Sequence, residues 1–306
     1  MKLACTHTVI GAVVVLGLGV LLSDSVTASN FGEWSEPVNV GPLVNSPFDD
    51  ISPHVSKNGL SLYFASTRNT GSFGGEDIWI SSRAAGDDPW DVPVNLGPFI
   101  NASSNERAPA LSRDGHYLFF NSDRPGGFGG SDIWVSWRSH IHDDFGWQEP
   151  VNLGAAINTS AFEGGAAFFG SDDAGLLQLY FVSNRAGGAG TQDIYVSTVS
   201  GGWFGPSVRV AELSSPQSDL SPAIRHDGRE ILIASNRPGA LGLNDLWVAT
   251  RRTIFDVWSD PVHLGFVINS VSNETFPSLS SDGQTLFFNS NRSDSLGGFD
   301  LYVVSR

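Results

Sequence analysis

Cysteine is nearly missing from this chain of 306 residues: the one present, Cys5, precedes an apolar run over residues 9–22, whereas a lipid-anchored cysteine would follow it. A disulfide framework and cysteine-held metal are thereby excluded, and stability has to come from packing. Basic residues are scarce too, with 17 Lys plus Arg against 32 Asp plus Glu and a net charge of −15. A chain so acidic is unsuited to tracking phosphates or an anionic membrane surface, so nucleic acid is not an expected partner. Also missing are a Gly-rich phosphate loop, a G-x-S-x-G elbow and an H-E-x-x-H pair, which leaves nucleotide and nucleophilic chemistry without support. No long segment carries a 3.6-residue apolar period, so helices are not expected.

What is present begins with Met1, Lys2 and the apolar run, followed by the small-residue pattern Val26-Thr27-Ala28. This pattern predicts a secretory signal peptide over residues 1–28 and a mature chain in the periplasm or outside the cell. The run is shorter than the ~20 residues a bilayer requires and contains Gly11, Gly17 and Gly19, so a membrane span is not expected in the mature chain.

The remainder is rich in Gly (35) and Trp (9) and repeats itself. Trp34, Trp90, Trp147, Trp203 and Trp258 stand 56, 57, 56 and 55 residues apart, and four open a phrase of the type WSEPVNVG; WFGPSVRV is the divergent copy. Each phrase leads to an acidic position, then in four units to an Asn-Gly or Asp-Gly turn and in the third to SDDAG. An alternating strand ending in Arg follows, such as LFFNSDR, then a Gly-rich turn and a strand opening with Asp, such as DIWVSWR. Four short strands per unit joined by hairpin turns, five times over, predict an all-β fold: a five-bladed β-propeller with four-stranded blades, formed as one domain over residues 29–306. The repeats run near 34–89, 90–146, 147–202, 203–257 and 258–306. A β-sandwich has no reason to reproduce one phrase five times. Because the last unit lacks an outer strand, residues 34–40 are expected to pair with residues 301–305 and close the ring, removing two open sheet edges.

The phrase over residues 112–136, S-x-D-G-x-x-L-F-F-x-S-x-R followed by G-G-x-D-I-W-V-S, resembles the PD40 or WD40-like propeller repeats of TolB-type bacterial periplasmic proteins. The resemblance spans residues 34–306 and implies the fold; as a guide to activity it is poor, since similar repeats serve scaffolds, peptidases and lyases. Five units without an added α/β domain depart from TolB, which has six blades and such a domain.

The most regular polar feature is one acid and one Arg per unit: Asp50 with Arg68, Glu106 with Arg124, Glu163 with Arg185, Asp219 with Arg237 and Glu274 with Arg292. Their placement predicts that both fall at one end of the ring. They are candidates for a ligand-binding collar around the channel, while their repetition favours five salt bridges that lock neighbouring loops. Asp77, Asp132, Asp193, Asp245 and Asp300 are expected to cap the preceding turns. The unit-opening tryptophans are expected to pack between blades near the perimeter, and Phe73, Phe128, Trp137 and Phe299 are candidate sugar platforms. His140 and His142, in the loop HIHDD, have metal-ligand chemistry but no third partner in view, so neither metal nor cofactor is expected. Glycosylation-type triplets at Asn101, Asn158, Asn273 and Asn291 arise from the repeat.

The expected function is a monomeric binding module, not an enzyme, presenting one ring face to a protein or glycan partner. The alternative is a glycan-active enzyme, a hydrolase or lyase using central carboxylates. An enzyme requires two carboxyl groups about 5 to 9.5 Å apart in a central pocket, one of them unpaired with Arg.

Overall fold

The computed structural model describes residues 33–306 apart from Asp172; the expected signal segment, residues 1–28, lies outside the described residues. Five antiparallel blades of four strands form a β-propeller, and the described residues contain no helix. Blade one comprises Asp50–Val55, Ser61–Ser66, Asp77–Ser82 and Val94–Asn95 from the channel outward. Blade two comprises Glu106–Leu111, Tyr117–Ser122, Asp132–Trp137 and Val151–Asn152. Blade three has longer strands, Glu163–Ser171, Leu176–Ser183 and Asp193–Ser200, with Val208–Arg209 outermost and an added strand, Trp203–Phe204. Blade four comprises Asp219–Ile224, Glu230–Ser235, Asp245–Thr250 and Val262–His263. Blade five takes Glu274–Leu279, Thr285–Ser290 and Asp300–Ser305 from the end of the chain and Val38–Asn39 from its beginning.

Each repeat is therefore offset from its blade: the strand after the opening Trp belongs to the preceding blade. Val38 pairs with Val303 and Asn39 with Tyr302, flanked by backbone bonds from Ser35 to Ser305 and from Val40 to Leu301, so the ring closes as expected.

The middle strands of each blade bury both faces. Leu62, Phe64, Leu118, Phe120, Phe181, Ile233 and Phe288 are fully enclosed, and each such side chain contributes about 1.5–3 kcal/mol. Clusters such as Tyr63, Ile78, Ile100, Leu118 and Phe120 span two blades, so the core is a chain of inter-blade layers around the ring. Blade contact is close: Gly74 has no room for a Cβ against the Ser104 carbonyl of the next blade's entry loop.

The innermost strands carry a feature the strand pattern did not foretell. Each slips register by a β-bulge where Ser52, Ala108, Gly165, Ser221 and Phe276 adopt φ of 49–59°. In four blades the next residue is Pro, at 53, 109, 222 and 277, which has no N–H to offer a ladder. The bulges turn these strands around the channel, and left-handed backbone at a non-glycine residue costs on the order of 1 kcal/mol each.

The tryptophans follow the expectation at four sites. Trp34, Trp90, Trp147 and Trp258 lie under Arg306, Arg83, Arg138 and Arg251, whose guanidinium carbons sit 4.1–4.4 Å from the ring centroids. Trp203 departs from it: it is 81% exposed on the added hairpin, because the third unit has Val199 where the others carry that Arg.

Candidate functional site

At the start of each innermost strand, the five repeated acids have fully buried side chains, and their arginines are 12–17% accessible. Asp50 accepts the Ser46 amide, the Ser46 hydroxyl and Arg68 Nη2. Glu106 accepts the Ala102 amide, the Ser122 hydroxyl and Arg124 at 3.1 Å. Glu163 binds Thr159, Ser183 and Arg185; Asp219 binds Ser215, Ser235 and Arg237; Glu274 binds Ser270, Ser290 and Arg292. Each Arg also donates to a loop carbonyl, of Val44, Ile100, Ile157, Leu213 or Ile268, and lies over an aromatic ring of its own blade.

All ten residues thus gather at one end of the ring, but they point into the seam between entry loop and blade. The channel lining begins two residues further along, with Ser52, Pro53, Ala108 and their counterparts, and includes no Asp or Glu among the described residues. Its waist encloses about 80 Å³.

The five aspartates that open the third strands cap the preceding turns, each accepting two loop amides; Asp77 takes those of Phe73 and Gly74. Phe73, Phe128 and Trp137 are roughly half exposed, and Phe299 is more enclosed. His140 and His142 are exposed, and no group of three or more His, Cys, Asp or Glu converges on a metal position among the described residues. Their loop is anchored by Asp144, which binds Tyr63 and Ser61 of blade one and Arg138 of blade two. Asn101 and Asn158 are buried, each bonded to both backbone groups of a third-strand Ile, so the glycosylation triplets there are structural.

The residues that sequence reasoning passed over depart from the repeat at the same mouth. Glu76 stands where the other units have Ser131, Gln192, Asn244 and Phe299; Arg107 where they have Ile51, Gly164, Leu220 and Thr275. Glu76 of blade one and Arg107 of blade two form an ion pair, with Arg107 43% and Glu76 14% accessible. Beside them Asp123 accepts the amide and the side-chain N–H of Asn105 at 2.8 and 2.7 Å. In blades three to five the corresponding bond to Phe162, Ser218 or Asn273 is accepted by Asn184, Asn236 or Asn291. An amide therefore suffices for the fold, and the charge at Asp123 is surplus to it. Burial raises the Asp123 pKa, but the Asn105 bonds and Arg107 outweigh it and hold the carboxyl below its ordinary value.

The opposite mouth differs in chemistry. Lys57, Arg113, Arg225 and His226 line it with Ser112 and Ser280, and among the described residues no acid joins the lining. His54, on the channel wall, accepts the Leu111 amide, and desolvation lowers its pKa to about 4, so it is neutral.

No family model and no curated protein matches the chain. Solved structures do. A thermostable family-43 glycoside hydrolase aligns with a TM-score of 0.58 and 16% identity over 88% of this chain and 91% of its own. The catalytic domain of the GH62 α-L-arabinofuranosidase of Coprinopsis cinerea aligns at 0.59 and 13%, over 90% and 97%. A protein described as a putative TolB from Agrobacterium tumefaciens aligns at 0.50 and 17%, over 90% and 98%. Identities this low establish a shared propeller fold. The expectation of a non-enzymatic binding module is corrected by the glycoside hydrolases among these likenesses, which align along nearly their whole length.

Proposed function

We propose that this protein is a glycan-active enzyme of the glycoside hydrolase type, acting at the mouth that carries Glu76, Arg107 and Asp123. The observation that carries this reading is the likeness, over about nine-tenths of both chains, to propellers whose described activity is glycoside hydrolysis. Local chemistry narrows the site. Hydrolysis uses one carboxyl group to protonate the leaving oxygen and a second to activate water or attack carbon. The five repeated acids have their oxygens committed to arginines and loop amides, so those roles fall to carboxylates outside the repeat. Asp123, held ionised, suits the base or nucleophile. Glu76, largely enclosed and paired with Arg107 across the blade junction, is assigned the proton-donor role. The collar pairs are then the frame of the mouth, with ligand contact confined to its edge.

No helix among the described residues is long and apolar enough to cross a membrane. With the signal pattern at residues 1–28, this supports an exported protein acting on polysaccharide in the periplasm or outside the cell, and the repeat resemblance to TolB-type propellers accords with that location.

The test is incubation with arabinoxylan, xylan and 4-nitrophenyl α-L-arabinofuranoside, followed by assay of released sugar. Release by the parent, with Glu76→Gln and Asp123→Asn each lowering the rate at least 100-fold while melting is unchanged, is the expected result. Absence of sugar release from all three overturns the activity; full rates in both variants overturn the site.

A further inference from the structure

Four arginines, at 83, 138, 251 and 306, close the third strands of their blades, stack on a Trp and donate Nε to the glycine carbonyl of the hairpin turn beside them. Their remaining nitrogens meet different surroundings. Arg138 reaches across to blade one and binds Tyr63 Oη, the Asp143 carbonyl and Asp144 Oδ1, which fills the junction. Arg306 reaches across to blade four and binds Glu230 Oε1 at 2.8 Å. At the junction of blades three and four, Arg251 interacts with Tyr180, and no carboxylate joins it in an ion pair among the described residues. Tyr180 holds the position of Tyr63, but Asp256 turns back to the Thr253 amide instead of bridging as Asp144 does. A groove of about 390 Å³ opens there, walled by Tyr180, Trp258 and Phe255, with Arg209, Gln178 and Glu212 along it. Phe255 is 76% exposed, although nothing in the blade requires an aromatic there.

We infer that this groove is a second carbohydrate site, which holds a neutral polysaccharide chain away from the reacting mouth. Sugar hydroxyls donate and accept together, and the groove offers both: Arg251, Arg209 and Gln178 as donors, Glu212 and Asp256 as acceptors. Charges of both signs side by side disfavour a uniformly charged ligand. The face of Phe255 gives the apolar side of a pyranose or furanose ring a platform, the usual complement to such polar edges. The inference rests on the glycan reading of the ring, but not on which carboxylates carry out hydrolysis.

Electrophoresis of the full chain through native gels containing soluble arabinoxylan tests it, with the rate on 4-nitrophenyl α-L-arabinofuranoside as an independent readout. The parent is expected to be retarded; Phe255→Ala should weaken retention at least fivefold with the small-substrate rate and the melting temperature unchanged, and Arg251→Lys about threefold with the small-substrate rate unchanged. A parent that hydrolyses but migrates freely, or a Phe255→Ala variant retarded like the parent, overturns the groove and leaves the enzyme reading intact. Retention lost in Phe255→Ala by a protein that releases no sugar supports the groove and removes the hydrolase. A protein neither retarded nor active removes both.

Discussion

Two sets of charges share one mouth of this ring, and they differ in how they are used. The collar repeats five times, and each acid is buried with its oxygens committed to an arginine, a serine or threonine hydroxyl and a loop amide. The Glu76, Arg107 and Asp123 group occurs once, is partly open to solvent and, at Asp123, carries a charge where an amide serves the other blades. Repetition in this propeller marks what every blade requires in order to stand. Departure from the repeat marks what the blades do not all require.

Removing half of a collar pair should break that contrast most forcefully. Arg124→Met strands Glu106 as a buried charge, and a loss of about 3–5 kcal/mol in chemical denaturation is expected; a loss below ~1 kcal/mol would place the collar among dispensable surface pairs. Next in size is the effect of acid. His54 is neutral in the fold with a pKa near 4 against an ordinary 6.5, so between those values the unfolded chain binds the extra proton. Stability should therefore fall as pH drops from about 6.5 to 4, by roughly 2 kcal/mol given that the ring faces a narrow channel, and His54→Gln should flatten that part of the profile. A parent and variant with the same pH dependence would assign the effect elsewhere. The smallest stability effects belong to the departures: Asp123→Asn restores the residue used at the matching site of three other blades, so melting should shift by less than ~0.5 kcal/mol while sugar release collapses. A large destabilisation there would return Asp123 to the scaffold.

Much of the architecture was legible in the residues. Spacing of the tryptophans, Asn-Gly and Asp-Gly hairpins and the missing outer strand of the last unit led to five blades and to the joining of Val38 with Val303. Those signals are local or periodic, and a repeat amplifies them. The acid and Arg pairing was visible for the same reason, at 18 residues in four units. The bulges were hidden, although Pro three residues after the acid in four units was their trace. Glu76 and Arg107 lie 31 positions apart on different blades, and their meeting depends on how neighbouring blades abut. Asp123 could have been found by aligning LFFNSDR with LFFNSNR, where one carboxylate replaces one amide. Activity was the least legible, because a propeller repeat records how blades are built and not what they act on.

The sharing of blade five between the two ends of the chain has a consequence for how the molecule is made. Its outer strand is available first and the other three last, so the partner of Val38 does not exist until Val303 has been synthesised. Until then the growing chain has an open edge at either end, and each can accept a strand from another molecule. Maturation of this ring is in that sense an event that follows synthesis, and its yield should depend on how well the waiting edges are shielded while the last fifty residues arrive.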